Sequence, residues 1–171
     1  DREIYTYAVD NMVFLLIPLA MVLVIGGIIH TIRQGIVMII PFMLLRKFSG
    51  GYHAKTRVRC FFVSILCYLL SFGMMKGLLF LPEIAQNILI TIGVATAFIH
   101  FAKFAPVENP NKRIREEMKE QNKIMSFAML VVWYLVCSVF VFAGTYEIST
   151  QIWATIDIIA LLLCVKRRKR K

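Results

Sequence analysis

Six long apolar runs separated by short polar segments constrain this chain more than any other feature of its sequence. An α-helix rises about 1.5 Å per residue, so about 20 apolar residues cross the hydrocarbon of a bilayer. Apolar residues make up 59% of the chain, and no polar stretch is long enough for a separate globular domain. The sequence therefore predicts one all-α, multi-pass membrane domain over residues 1–171. The runs are Met12–Ile29, Gly35–Leu45, Cys60–Met75, Ile84–Phe101, Ile124–Gly144 and Ile152–Val165.

The second run, Gly35–Leu45, is shorter than a helix that crosses a bilayer, and Pro41 lies inside it. Proline removes a helical hydrogen bond and bends or ends a helix. We therefore expect about six transmembrane helices, of which the second is either short or re-entrant. A re-entrant helix is stable only where protein or water covers its open end.

Basic residues are distributed unevenly between the connections. All of the 20 Lys and Arg residues except Arg33 and Lys76 lie at the termini or in alternate connections. Cytoplasmic loops carry an excess of Lys and Arg, so we expect both termini to be cytoplasmic. The net charge of +10 follows from this topology and requires no nucleic-acid partner. The chain starts at Asp1 rather than at methionine, and we expect a native N-terminal segment to precede it.

The connection before the third run carries the residues best suited to catalysis, and it reads RKFSGGYHAKTRVRC over positions 46–60. Thr56 is a suitable N-cap, which places Cys60 in or just after the first turn of a helix. The free amides of a helix N-terminus stabilise a thiolate. The basic side chains of Lys55, Arg57 and Arg59 are expected to lower the pKa of the Cys60 thiol further. Membrane topology alone would also explain these basic residues.

His53 is the candidate partner of Cys60. The two are seven residues apart, about 10.5 Å on a continuous helix, which is too far for proton transfer. A turn is therefore needed, and Gly50 and Gly51 can adopt the unusual backbone angles for it. A His–Cys pair forms a thiolate–imidazolium nucleophile for acyl transfer. An interfacial histidine and a cysteine packed as a small apolar residue remain the structural alternative.

The remaining reactive side chains are expected to be structural. Cys67 and Cys137 lie within apolar runs and should pack in the core. Together with Cys60 and Cys164, they have neither a disulfide nor a metal-site spacing, so we expect no metal and no cofactor. Asp157 lies inside the sixth run, where a carboxylate is usually paired or functional, and the sequence identifies no partner for it.

The string RKFSGGYHAKTRVRC closely resembles the signature of the AgrB family, the membrane cysteine endopeptidases of Gram-positive quorum-sensing systems. The match includes Arg46, Gly51, His53 and Cys60 at the spacing of the family. A second string, FAPVENPNK over positions 104–112, is similar to the loop that follows the fourth span in that family. The size, the hydropathy and the basic C-terminal tail agree as well, so the resemblance covers nearly the whole chain.

The resemblance implies that this protein cuts an AgrD-like propeptide at the cytoplasmic face of the cell membrane. Cys60 would attack the scissile carbonyl and hold the peptide as a thioester, with His53 as base and then acid. A side chain of the peptide would then close a thiolactone or lactone ring. The residues expected to bind the substrate or support the transition state are Arg46, Gly51, Lys55, Arg57 and Arg59.

Other partners and other functions follow from the same features. The basic surface suits anionic membrane lipids, and the resemblance implies a homodimer. A transporter or channel subunit is one alternative, and it would need polar residues within several spans. A non-enzymatic membrane adaptor is the other, and it would leave the Gly-Gly-Tyr-His segment unexplained.

Overall fold

The computed structural model describes residues 19–50, 57–107 and 116–168, without the side chains of residues 57–60, 116–117 and 165–168. These residues form six α-helices and no β-strand, which confirms the all-α prediction. The helices are α1 (Leu19–Ile28), α2 (Ile32–Ser49), α3 (Arg57–Leu79), α4 (Glu83–Phe104), α5 (Glu116–Phe142) and α6 (Tyr146–Arg168).

Four of the described helices are long and apolar enough to cross a membrane, and the outer faces of α4 and α5 are apolar. Ile84 on α4 is 76% exposed and Val139 on α5 is 64% exposed. Soluble monomers rarely expose large contiguous apolar surfaces, whereas lipid tails solvate them. The chain is thus a multi-pass membrane protein. The four spans are Phe61–Leu79, Glu83–Phe104, Met118–Phe142 and Tyr146–Cys164.

The second predicted helix is longer than its apolar run. α2 contains the run Gly35–Leu45 and continues beyond it at both ends. It has 18 residues, which gives a helix about 27 Å long. Pro41 lies inside α2 without ending it and is itself buried. Packing of α2 against α5 and α6 offsets the hydrogen bond that proline removes. α2 is thus longer than its apolar run, but it is not among the four described helices that are long and apolar enough to cross a membrane, which agrees with the expected short or re-entrant second element.

α6 is the central helix, since it packs against α2, α3, α4 and α5. In its span 67% of the residues are buried, against 17% in the spans of α4 and α5. The Gln151 side-chain amide donates to Ser71 Oγ at 2.7 Å, and Ser71 Oγ lies 3.1 Å from Thr155 Oγ1. Thr155 Oγ1 in turn donates to the Gln151 carbonyl oxygen at 2.8 Å. A bilayer interior offers these groups no water, so their mutual hydrogen bonds join α3 to α6.

A tight turn reverses the chain between α5 and α6. Gly144 has φ +72° and donates its N–H to the Val141 carbonyl oxygen at 3.0 Å. Thr145 donates its N–H to the Phe140 carbonyl oxygen at 2.9 Å. This pair of bonds is the Schellman motif, which ends a helix and satisfies its last carbonyls. α6 begins directly afterwards and runs antiparallel to α5.

α2, α4 and α6 finish at the same end of the bundle, where α3 and α5 begin. α2 and α4 meet there because Val107 donates its N–H to the Ser49 carbonyl oxygen. α4 and α6 lie side by side, since Gly93 in the middle of α4 faces Trp153 in α6. They run parallel, because each begins after a turn at the end of the bundle away from Val107. We call this end the basic end. The described helices place there Arg46, Lys47, Arg57, Arg59, Lys103, Lys119, Lys123, Lys166, Arg167 and Arg168.

We expect Tyr68→Phe to lower the stability of the bundle by about 1–2 kcal/mol. The Tyr68 side chain is fully buried. Its hydroxyl donates to the Thr31 carbonyl oxygen at 3.0 Å and lies 2.6 Å from Thr31 Oγ1, so it joins α3 to the turn before α2. Thermal unfolding in detergent would measure the loss as a melting temperature several degrees lower. Tyr134→Phe is the matched control, since Tyr134 is 46% exposed. Equal melting temperatures for the two variants would contradict this account.

Candidate active site

The last turn of α2 holds Arg46, one of the predicted site residues. Its guanidinium carbon lies 5.1 Å from the centre of the Phe42 ring, and Phe42 itself is buried. A guanidinium over an aromatic face is attracted to the ring, and a cation is also favourable at a helix C-terminus. Arg46 is half-buried, so the fold holds its side chain against α2 at the basic end.

α2 ends at Gly50, where the backbone turns sharply. Gly50 has φ +69° and ψ −136°, and its N–H donates to the Arg46 carbonyl oxygen at 3.1 Å. Gly50 also forms a parallel β-bridge with Val107, whose N–H donates to the Ser49 carbonyl oxygen at 2.9 Å. Two segments far apart in sequence, the end of α2 and the loop after α4, are thus joined backbone to backbone.

Cys60 is the fourth residue of α3, whose backbone begins at Arg57. This agrees with the expectation that Cys60 lies at the start of a helix. The first turn of α3 contains no acidic residue. Since the first four amides of a helix have no intrahelical acceptor, they form a partial positive charge near Cys60.

Several predicted site residues lie outside the part of the chain that the structure describes. They belong to residues 51–56, or are side chains of residues 57–60. The expected N-cap, Thr56, is one of them. The distance between His53 and Cys60 also lies outside the described part of the chain. These predictions therefore remain predictions. The residues concerned are Gly51, His53, Lys55 and Thr56, with the side chains of Arg57, Arg59 and Cys60.

The described cysteines away from this region are structural or peripheral. Cys67 is 3% exposed and Cys137 is 7% exposed, which confirms that both pack in the core. Cys137 Sγ donates to the Ser149 carbonyl oxygen at 3.6 Å and so faces α6. Cys164 is half-buried near the basic end. None of these three described cysteines forms a disulfide.

Asp157, for which the sequence names no partner, faces α4. Its carboxylate lies against Gly93, and His100 further along α4 is near enough to interact with it electrostatically. The ring Nδ1 of His100 lies 2.6 Å from the Thr96 carbonyl oxygen. In the described part of the chain, no three His, Cys, Asp or Glu side chains cluster as metal ligands would.

The sequence did not identify Gly50 and Val107 as a pair. Gly50 was noted only as a source of backbone freedom, and Val107 only as a member of the string FAPVENPNK. The two strings that resemble one family are thus adjacent in the fold, although 56 residues separate Gly50 from position 107. The one available signal was that both strings match the same family although two spans, those of α3 and α4, lie between them.

The fold and the charged end define a class of protein: a multi-pass, all-α membrane protein with a helix-start cysteine and a bridged loop at its basic end. The family model of Accessory gene regulator B, AgrB, matches residues 1–165. The chain belongs to the AgrB family.

Curated relatives of this chain carry AgrB-like names. AgrB-like protein 2 of Clostridium perfringens strain 13 is 28% identical over 137 residues. A protein of C. perfringens strain SM101 is 29% identical over 137 residues. These alignments cover 78% of this chain and 64% of each relative, so the chain spans less than two thirds of their length. AgrB-like protein 1 of strain 13 is 23% identical, with 100% of this chain and 89% of the relative covered. No solved structure matches the chain.

Proposed function

We propose that this AgrB family member is a membrane cysteine endopeptidase that cuts an AgrD-type propeptide and releases it as a cyclic thiolactone or lactone. The observation that carries the proposal is the position of Cys60 as the fourth residue of α3 at the basic end. A helix N-terminus there favours the thiolate form of a cysteine. Membership of the AgrB family and the spacing of His53 to Cys60 support the same reaction.

The proposed reaction has two acyl transfers and needs neither an oxidant nor a metal. The Cys60 thiolate attacks the scissile carbonyl, the C–N bond breaks, and His53 gives its proton to the leaving amine. The N-terminal part of the propeptide is then a thioester on Cys60. A cysteine thiol or serine hydroxyl of the peptide loses its proton to His53 and attacks this thioester. Its carbonyl passes to the new ring, and Cys60 leaves as a thiolate.

Ring closure has to compete with hydrolysis of the thioester. Water attacks the same carbonyl as the ring-forming side chain does, so a site that limits water favours the cyclic product. Arg57 and Arg59 precede the apolar run that begins at Cys60. We therefore expect Cys60 to lie at the boundary between the membrane and water, where the concentration of water falls.

The basic end suits the proposed substrate and its surroundings. Propeptides of this class carry an amphipathic leader and an acidic tail, and basic residues at the membrane surface attract both acidic peptides and anionic lipids. By the positive-inside rule the basic end faces the cytoplasm. Arg46, held over Phe42, is the described side chain best placed to bind a carboxylate or an oxyanion. A homodimer is proposed from the family alone.

Alkylation of the cysteines against pH tests the thiolate directly, and it requires no substrate. In nanodiscs, with sites mapped by mass spectrometry, we expect Cys60 to react well below about pH 8. Cys67 and Cys137 should stay unreactive because they are buried. His53→Ala should move the reaction of Cys60 to higher pH, since the imidazolium no longer stabilises the thiolate.

His30→Ala is the matched control for this experiment. His30 lies in the turn before α2. The length of α2, about 27 Å, separates it from the basic end. Replacing His30 should therefore leave the pH profile of Cys60 unchanged. A Cys60 that reacts no faster than Cys67 and Cys137 over the whole pH range would refute the thiolate–imidazolium pair.

A further inference from the structure

The pairing of Gly50 with Val107 connects the proposed active site to a loop that the site residues themselves do not include. The Val107 N–H donates to the Ser49 carbonyl oxygen at 2.9 Å, and the Gly50–Val107 bridge is parallel. This bridge occurs at the point where the chain leaves α2, three residues before His53. Any displacement of Gly50 is therefore passed to the start of the segment that carries His53.

Only glycine fits at position 50. Its φ of +69° lies in a region that side chains with a Cβ rarely adopt. A Cβ would also collide with the Val107 carbonyl oxygen, and would lie 3.2 Å from the Val107 carbonyl carbon and 3.3 Å from its nitrogen. These are backbone atoms, so they cannot rotate away as the end of a flexible side chain could. A side chain at position 50 must push the two segments apart.

Both sides of the bridge are attached to rigid helices. Ser49 is fully buried, and Gly50 is bonded to the Arg46 carbonyl oxygen in the last turn of α2. On the other side, Ala105 is 7% exposed and donates its N–H to the carbonyl oxygen of the fully buried Phe101. Neither partner can move without disturbing a packed helix end, so the bridge has one position.

The proposed reaction requires His53 to lie within proton-transfer distance of Cys60. Cys60 belongs to α3, whereas His53 follows α2 by three residues past Gly50, a length of chain that reaches at most about 11 Å. α2 and α4 each pack against α5 and α6, so the bridge ties the end of α2 to the whole bundle. Proton transfer is sensitive to displacements of about 1 Å.

We propose that Gly50 and Val107 are positioning residues of the active site, and that their backbone pairing places His53 at Cys60. This proposal rests on the Cys60 chemistry proposed above and extends it to the loop after α4. Neither residue touches the reacting atoms. Each acts by setting where the segment that begins at Gly51 leaves the bundle.

Gly50→Ala tests the proposal, with Gly144→Ala as the matched control. Gly144 also has a positive φ, of +72°, but a Cβ there would meet no atom within 4 Å. Both variants add a Cβ to a residue with positive φ, and of the two only Gly50→Ala adds the collision with Val107. We expect Gly50→Ala to process an AgrD-type propeptide roughly 10- to 100-fold more slowly. It should also move the alkylation of Cys60 to higher pH, towards the profile of His53→Ala. Gly144→Ala should match the wild type in both measurements.

Val107→Pro provides an independent test, because it removes the N–H that Val107 donates without placing any atom at Gly50. Its control is Val107→Ala, which keeps both backbone groups and should retain the wild-type pH profile. A loss of overall stability alone would not shift that profile. If Gly50→Ala does not fold, Val107→Pro still tests whether the bridge positions the active site.

The outcomes separate the two proposals. If Gly50→Ala and Val107→Pro fold and keep the wild-type profile and rate while Cys60 of the wild type reacts at low pH, the positioning role is wrong and the proposed chemistry stands. If wild-type Cys60 is unreactive and Cys60→Ala still processes the propeptide, the proposed function fails and the positioning role fails with it.

Discussion

Cys60→Ala is expected to abolish formation of the cyclic peptide when the protein is co-expressed with an AgrD-type propeptide. Removal of a catalytic nucleophile costs about 10⁴-fold or more, because the covalent route is lost and not merely slowed. Mass spectrometry of the membrane and culture fractions would measure both the cut and the cyclic products. Neither should be detected above the level of cells without the protein.

Cys67→Ala is the control for this substitution. It removes a thiol from the same helix, seven residues further along, where the side chain is buried. It should lower stability slightly and leave processing within a fewfold of the wild type. Product from Cys60→Ala at a level comparable to that from Cys67→Ala would contradict the assignment of the nucleophile.

The thioester itself can be trapped with a modified propeptide. If the ring-forming cysteine or serine of the peptide is replaced by alanine, the second acyl transfer has no attacking group. The peptide should then accumulate on Cys60 and be released by hydroxylamine, which cleaves thioesters. Release of linear peptide with no adduct on Cys60 would instead indicate direct hydrolysis.

Gly93→Ala is expected to lower stability more than the same substitution at the other glycines within the described helices. A Cβ at Gly93 would collide with both the ring of Trp153 and the carboxylate of Asp157. Trp153 is 6% exposed, so a shift of its ring would disturb the packing of its neighbours. Forcing an atom into a well-packed site costs about 1–3 kcal/mol or more. The melting temperature in detergent and the yield of monodisperse protein should both fall.

Two comparisons make this test specific. Gly77→Ala adds the same methyl group to α3, where no atom lies within 4 Å, and it should leave stability equal or raise it because alanine favours helix. Trp153→Leu removes the ring carbons that the new Cβ would meet. The double variant Gly93→Ala/Trp153→Leu should therefore be more stable than the sum of the two single losses predicts. Strict additivity would show that the collision is not the cause.

The sequence by itself determined the fold class, the number of helices and the charge asymmetry between the two ends of the bundle. A backbone in lipid has to satisfy its hydrogen bonds internally, so a long apolar run has few structures other than a helix available to it. The start of a helix close to Cys60 was also predictable, because polar residues and a suitable cap precede an apolar run. Buried positions for Cys67 and Cys137 followed from the same pattern.

Only the tertiary structure decided how those helices contact one another. The sequence left open whether Pro41 ends the second helix, and the structure shows α2 continuing through it while packing against α5 and α6. The close contact at Gly93 joins residues of α4 and α6, and the bridge from Gly50 to Val107 joins residues 57 positions apart. Periodicity and spacing describe only neighbours along the chain. Contacts between distant segments depend on how different helices fit together, which is why the bridge between Gly50 and Val107 became visible only in the folded bundle.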